Sequence, residues 1–138
     1  MSPLRPWLAI ALMLLATNAS AHISSNGFLT VNAAGSRASG ALELAVRDAE
    51  LAVGLDDNAD GKLTWGEVRG HQADLVTYVR SRLTIGDGGN PCATDFDSVQ
   101  INERVDGAYL WIPFTAVCSS VLRDLSIDYR LLQDVQRS

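Results

Sequence analysis

Between positions 56 and 67 the chain places oxygen-bearing side chains at intervals that suit a hard divalent cation. The segment reads Asp56-Asp57-Asn58-Ala59-Asp60-Gly61-Lys62-Leu63-Thr64-Trp65-Gly66-Glu67 and matches D-x-[DN]-x-[DN]-G-x5-E at every specified position. Asp56, Asn58 and Asp60 would set three side-chain oxygens on the inside of a tight turn. Gly61 permits the positive φ that brings the chain round. Lys62 would contribute its carbonyl and leave its ammonium in solvent. Thr64 stands where a side chain holds a bridging water, and Glu67 would supply both carboxylate oxygens. Together these make the seven-oxygen cage that calcium prefers, and the reach of a Glu at the last position favours calcium over magnesium. Leu63, an apolar residue between ligands, can pack inward while its backbone makes a short strand contact. Asp57 is not a ligand in this scheme and adds only to the local negative field. The competing reading is an acidic surface turn, because Asp, Asn and Gly are common in loops.

Loops of this kind usually come in pairs, and no second one follows. Asp87-Gly88-Gly89-Asn90 and Asp95-Phe96-Asp97 both lack the glycine and the terminal Glu at the required spacing. A solitary loop must be braced by a sheet or by a second protomer. Its expected calcium affinity is that of an exported module, about 10⁻⁴ to 10⁻³ M, with a structural rather than a sensing ion.

The elements that must hold the loop are helical. Asp48 is a candidate N-cap for a helix of two turns with Leu51, Leu55 and Ala52 on its apolar face. Beyond the loop, 67–83 is the longest helical candidate, with Val68, Leu75, Val79 and Leu83 recurring at roughly helical spacing. Gly70 weakens it by about 1 kcal/mol relative to Ala. This helix–loop–helix occupies about 48–82.

Strand patterns surround the helices. Segment 23–31 reads as a first strand, 32–39 as a turn or exposed loop, and Leu42, Leu44 and Val46 alternate as a second strand. Segment 83–85 can start another, and 86–91 is a strong turn. Segment 92–104 holds one or two strands with Phe96, Val99 and Ile101 inward. Asp106-Gly107 signals a tight hairpin. Tyr109, Trp111 and Pro113 then alternate with Leu110, Ile112 and Phe114, and Pro113 argues for an edge or a bulge. Leu125, Ile127 and Tyr129 alternate again, and 134–138 is polar and frayed. The expected architecture is α+β: an antiparallel sheet or sandwich of about six strands carrying the helix–loop–helix as an insertion.

At 138 residues the chain is one domain. Residues 1–21 read as a signal segment: a short head with Arg5, an apolar run over 8–16, and Ala19-Ser20-Ala21 as a small-x-small cleavage site. Cleavage would make His22 the mature N-terminus. An uncleaved anchor is the alternative, but the apolar run falls well short of the roughly 20 residues that span a bilayer. The formal net charge is −5, and losing Arg5 takes it to −6, so nucleic acid and anionic membrane surfaces are poor partners. Export to the periplasm or medium makes Cys92 and Cys118 natural disulfide partners, two buried free thiols being the other reading. They are too far apart for a CxxC redox motif.

Other chemistry is thin. A free amine at His22 with its imidazole can chelate copper, but an ordinary polar terminus explains the residue as well. His71 reads as a partly exposed helix residue, and no serine or cysteine accompanies it in a nucleophilic pattern. The prominent carboxylates are already committed to the loop. Trp65, Trp111, Tyr78 and Tyr109 could line a groove, though core or sheet packing is the plainer use. These observations point away from an enzyme.

The loop with its flanking helices resembles the EF-hand of calcium-binding proteins. More broadly, the run Leu44-Ala-Val-Arg-Asp-Ala-Glu-Leu-Ala-Val-Gly-Leu-Asp56 and Thr64-Trp65-Gly66-Glu67 resemble the exported N-terminal region of HupE/UreJ-related bacterial membrane proteins. So do Asp106-Gly-Ala-Tyr109, the Cys92/Cys118 pair and Leu125-Ser-Ile-Asp-Tyr-Arg-Leu-Leu132. In that family a multi-helix membrane portion follows and metal transport has been proposed for some members, whereas this sequence stops at Ser138 before any such segment. The leading expectation is therefore an exported, non-enzymatic calcium-binding domain with a structural or interaction role. The alternatives are a soluble periplasmic domain serving a membrane transport or assembly system, with a membrane protein or a second copy as partner, and a secreted enzyme stabilised by calcium.

Overall fold

A computed structural model describes residues 27–135, in which eight strands form two antiparallel sheets and three helices lie in sequence between the second and third strands. The signal segment, its cleavage site, His22, residues 23–26 of the first expected strand and residues 136–138 lie outside the described residues. β1 (Gly27–Ala34) and β2 (Arg37–Ala45) form a hairpin whose ladder runs from Gly27 opposite Leu44 to Ala34 opposite Arg37. Gly35, at φ 60°, makes the sharp reversal between them. The loop expected over 32–39 is thus mostly strand. The small residues there have weak strand preference, but β2 is paired on both sides from Arg37 to Leu44, and tertiary pairing outweighs propensity.

The centre of the larger sheet is β7 (Gly107–Val117), which pairs with β2 on one side and with β5 (Ala93–Phe96) and β6 (Gln100–Arg104) in tandem on the other. Pro113 sits where that second neighbour is interrupted: Phe96 lies opposite Phe114 and Gln100 opposite Trp111. The Pro113 carbonyl accepts from the Asp97 N–H at 2.9 Å on this side, so the missing proline N–H faces the gap. The bulge predicted from Pro113 is therefore in its partner. β3 (Leu83–Asp87), β4 (Asn90–Pro91) and β8 (Leu125–Tyr129) form the smaller sheet in the order β4-β3-β8. Gly88 and Gly89, at φ 56° and 89°, supply the turn between β3 and β4.

One face of the larger sheet makes half of the core. Leu42 opposite Ile112, Leu44 opposite Leu110 and Ala38 opposite Ala116 are all fully buried, as the even-numbered alternation in β7 predicts. The other half comes from Ala49, Leu55, Val68, Leu75, Val79, Leu83 and Ile85. On the far face Tyr109 is also buried, against Phe28 at 5.7 Å and under Arg104.

Two helical expectations need correcting. α1 spans Val46–Val53 with Ala45 as its N-cap, so Asp48 lies buried in the first turn rather than at the cap. Leu51, expected on the apolar face, is 72% exposed, while Ala49 is the buried residue. The cause is the helix end: α1 stops at Val53 and Gly54 turns the chain at φ 74°, so Leu55 reaches the core without sharing a helix face with Leu51. The single helix expected over 67–83 is two: α2 (Trp65–Gly70) and α3 (Gln72–Arg82), broken at His71. Gly70, the poorest helix former in the run, stands at the break.

Cys92 and Cys118 are joined by a disulfide with Cα atoms 4.4 Å apart. Cys92 follows β4 and Cys118 follows β7, so the bond ties the smaller sheet to the larger one. No helix among the described residues is long and apolar enough to cross a membrane.

Candidate functional site

The loop at 56–67 hangs between two core anchors. Leu55 and Val68, immediately before and after it, are fully buried, each stabilising its end by about 1.5 to 3 kcal/mol. Gly54, at φ 74°, ends α1 by returning its N–H to the Glu50 carbonyl. The Glu50 side chain then accepts from the backbone N–H groups of Leu55 at 2.6 Å and Asp56 at 2.9 Å, fixing the chain as it leaves the helix.

Within the loop the side-chain oxygens turn inward onto backbone donors. Asp56 accepts from the N–H of Gly61 at 2.8 Å and of Asp60 at 3.3 Å. Asn58 accepts from the Asp60 N–H and Asp60 from the Lys62 N–H, each spanning two residues as an Asx turn does. Gly61 has φ 77°, the left-handed conformation assigned to it from sequence, and Ala59 adopts φ 57° without being glycine. The first half of the loop is thus a tightly wound nest drawn round Asp56.

Glu67 closes the second half. Thr64 and Glu67 form a capping box: the Thr64 N–H and hydroxyl both donate to Glu67 Oε2 at 2.8 Å, and the Glu67 N–H donates to Thr64 Oγ1. The other carboxylate oxygen, Oε1, accepts from the Asp57 N–H at 3.2 Å, ten residues back. Donation from Thr64, backbone first and hydroxyl second, holds the Glu67 carboxyl below its ordinary range. Lys62 lies exposed on the loop, and Leu63 is half-buried against the core.

All six residues assigned from sequence, Asp56, Asn58, Asp60, Lys62, Thr64 and Glu67, therefore belong to one turn of chain, and every donor among them is oxygen. Their chemistry fits a calcium ion. Their side chains are not drawn to one point, however: among the described residues no three His, Cys, Asp or Glu side chains form a metal-holding group. Glu67 in particular faces Thr64 and Asp57.

Sequence reasoning missed the latch beside the loop. His71, at the break between α2 and α3, sets Nε2 2.8 Å from Asp57 Oδ1 and Nδ1 3.2 Å from Asp74 Oδ2. The two carboxylates, Asp57 foremost, raise the His71 pKa above its usual value. Asp57 thus holds the loop to α3 as well as adding charge. The spacing of His71 and Asp74, three apart on a helix, was the available signal.

Beside the loop is a cleft of about 400 Å³ whose walls include Val46 and Leu51 of α1 and Gly61 and Leu63 of the loop. The aromatic residues do not gather there: Tyr109 and Trp111 lie on β7, Trp65 on α2, and Tyr78 on α3 with its hydroxyl accepting from the Leu132 N–H. No family model matches this chain, and neither a curated protein nor a solved structure matches it.

Proposed function

We propose that residues 56–67 bind a single calcium ion in the manner of an EF-hand, in an exported, non-enzymatic domain with a structural or interaction role. Asp56, Asn58 and Asp60 would hold the ion through side-chain oxygens, Lys62 through its carbonyl, Thr64 through a water and Glu67 through its carboxylate. The ion supplies charge neutralisation for this acidic turn and a cross-link between its two halves. The observation that carries the reading is the coincidence of the complete ligand spacing with a loop wound round Asp56 and turned at Gly61. Bidentate ligation by Glu67 would draw that carboxylate from its contacts with Thr64 and Asp57, so binding competes with the capping box. That competition supports an affinity toward the weak end of the EF-hand range.

The disulfide is compatible with an oxidising compartment such as the periplasm, which supports export. The exposed Leu51 and the half-buried Leu63, both at the cleft, support an interaction role beside the loop. Calorimetric titration with calcium and with magnesium, on the native sequence and on Glu67→Gln, tests the ion site. Calcium should bind more weakly than about 10 μM, in preference to magnesium, and binding should be largely lost in the variant while its circular dichroism is kept. No calcium heat, or undiminished binding by Glu67→Gln, sinks the assignment.

A further inference from the structure

On the outer edge of the smaller sheet, β8 carries Leu125, Ile127 and Tyr129 at alternate positions, 39%, 43% and 37% exposed. Their partners across β3 are Asp87, Ile85 and Leu83, the last two buried, so the stripe continues the core-facing side of the sheet past its edge. Among the described residues no strand pairs with that outer edge. The edge strand of the larger sheet, β1, differs in that Leu29 and Val31 pack on the core, while Phe28, itself 43% exposed, has Arg104 over its ring.

The hydrogen-bond phase of β8 decides which groups face outward. The Arg130 N–H donates to the Arg82 carbonyl, and the Gly88 N–H donates to the Asp124 carbonyl. Residues 124, 126, 128 and 130 therefore point their backbone groups at β3, and residues 125, 127 and 129 point theirs away. The outward backbone groups thus belong to the same three residues that carry the exposed apolar side chains.

We propose that β8 pairs antiparallel with β8 of a second copy, about a twofold axis through Ile127. That register sets Leu125 opposite Tyr129 of the partner subunit and Ile127 opposite its own equivalent. All three are outward-facing pairs, each able to exchange both backbone bonds, and the two apolar stripes join on one face. On the opposite face Asp124 meets Arg130 of the partner subunit, and Ser126 meets Asp128 of the partner subunit. Asp128 is already held by Arg130 of its own strand, whose Nε lies 3.1 Å from both carboxylate oxygens. The strand is therefore self-complementary in hydrogen bonding and apolar surface, and the register sets each Asp124 opposite the one cation of the paired strand. A heterologous strand would need to match all three, and an isologous pair closes without leaving a new edge.

Five residues per strand bury less than the roughly 800 Å² per partner of a standard interface, which sets the expected Kd between about 10 μM and about 1 mM. Sedimentation velocity tests this on protein made from the full chain, its N-terminus read by mass spectrometry. A concentration-dependent dimer is expected. Ile127→Lys and Ile127→Glu, each placing like charges across the axis, should separately weaken association at least tenfold, about 1.4 kcal/mol. Mixing the two variant proteins should restore it. Hydrogen exchange on the native sequence gives a second measurement independent of variant folding: protection at the amides of residues 125, 127 and 129 should rise with protein concentration, while that at 126 and 128 should not. A monomer at about 1 mM, a dimer indifferent to both substitutions, a mixture no tighter than its components, or concentration-independent protection at all five amides overturns the proposal. The last result would assign the edge to the chain's own residues preceding Gly27, which lies beside the Tyr129 hydroxyl.

Discussion

Replacing both Cys92 and Cys118 by alanine should lower stability by about 3.5 kcal/mol at 25 °C. The figure comes from the closed loop: a separation of 26 residues corresponds to about 12 cal/mol/K of unfolded-chain entropy on the loop-closure relation. The native side of the balance changes less. The Cys92 N–H donates to the Ile85 carbonyl and the Cys118 N–H to the Ser36 carbonyl, both at 2.8 Å, so backbone bonds hold each end without the sulfurs. With an unfolding entropy of about 2.1 cal/mol/K per residue over a chain of this size, the midpoint should fall by about 12 °C. The assay is urea unfolding followed by tryptophan fluorescence, comparing oxidised protein, reduced protein and the double variant. The m-value should rise in the last two, because an unlinked chain exposes more surface when it unfolds. A loss below about 1 kcal/mol, or reduced protein that behaves unlike the variant, would refute an origin in the unfolded chain.

His71 gives a pH signature. Because Asp57 and Asp74 raise its pKa in the folded state, the stability it contributes is fully present below the unfolded value of about 6.5 and is lost as pH rises through the folded value. Nuclear magnetic resonance titration should place the His71 imidazole above 6.5, and His71→Gln should remove that component of the stability profile; a midpoint at or below 6.5 would exclude the latch. Gly40 gives a packing signature, since a Cβ there would sit 1.7 Å from the Thr30 carbonyl oxygen in the neighbouring strand. Gly40→Ala should cost about 2 to 3 kcal/mol in a urea titration, and a cost under about 0.5 kcal/mol would show that β1 and β2 part easily.

The turn of the candidate loop was more legible in the sequence than the elements that hold it. Ligand spacing is a one-dimensional property, so the expected ligand set over 56–67 could be written from the sequence, and of that expectation the structure has the turn at Gly61. Strand alternation was equally plain in β7, where one face of the sheet is core and the other is partly open. The failures share a cause: each depended on a contact made by distant chain. Residues 32–39 look like a loop until β7 pairs with β2. Leu51 looks buried beside Leu55 until Leu55 is seen to leave α1 and enter the core shared with Val68 and Leu75. The break at His71 follows from a weak helical residue beside an imidazole engaged by Asp57, fourteen residues away. Nothing local announces that Pro113 faces a gap in its neighbour.

The placement of the loop also bears on what an ion there could do. Its ends are fixed at Leu55 and Val68 in the same core that receives Leu75, Val79 and Ile85, and Glu50 and His71 tie its flanks by bonds that do not use the proposed ligands. An ion could reorder Glu67 and the turn around Asp56, but a large reorientation of α1 against α3 would tear residues from a shared core. On the proposed reading, calcium would therefore act locally: it would trade the capping box for ligation, stiffen the wall of the cleft lined by Leu51 and Leu63, and leave the two sheets unchanged. A calcium-dependent shift in amide resonances confined to residues near 46–74 is the expected consequence, and shifts spread through β2 and β7 would show that the core transmits what this packing is argued to contain.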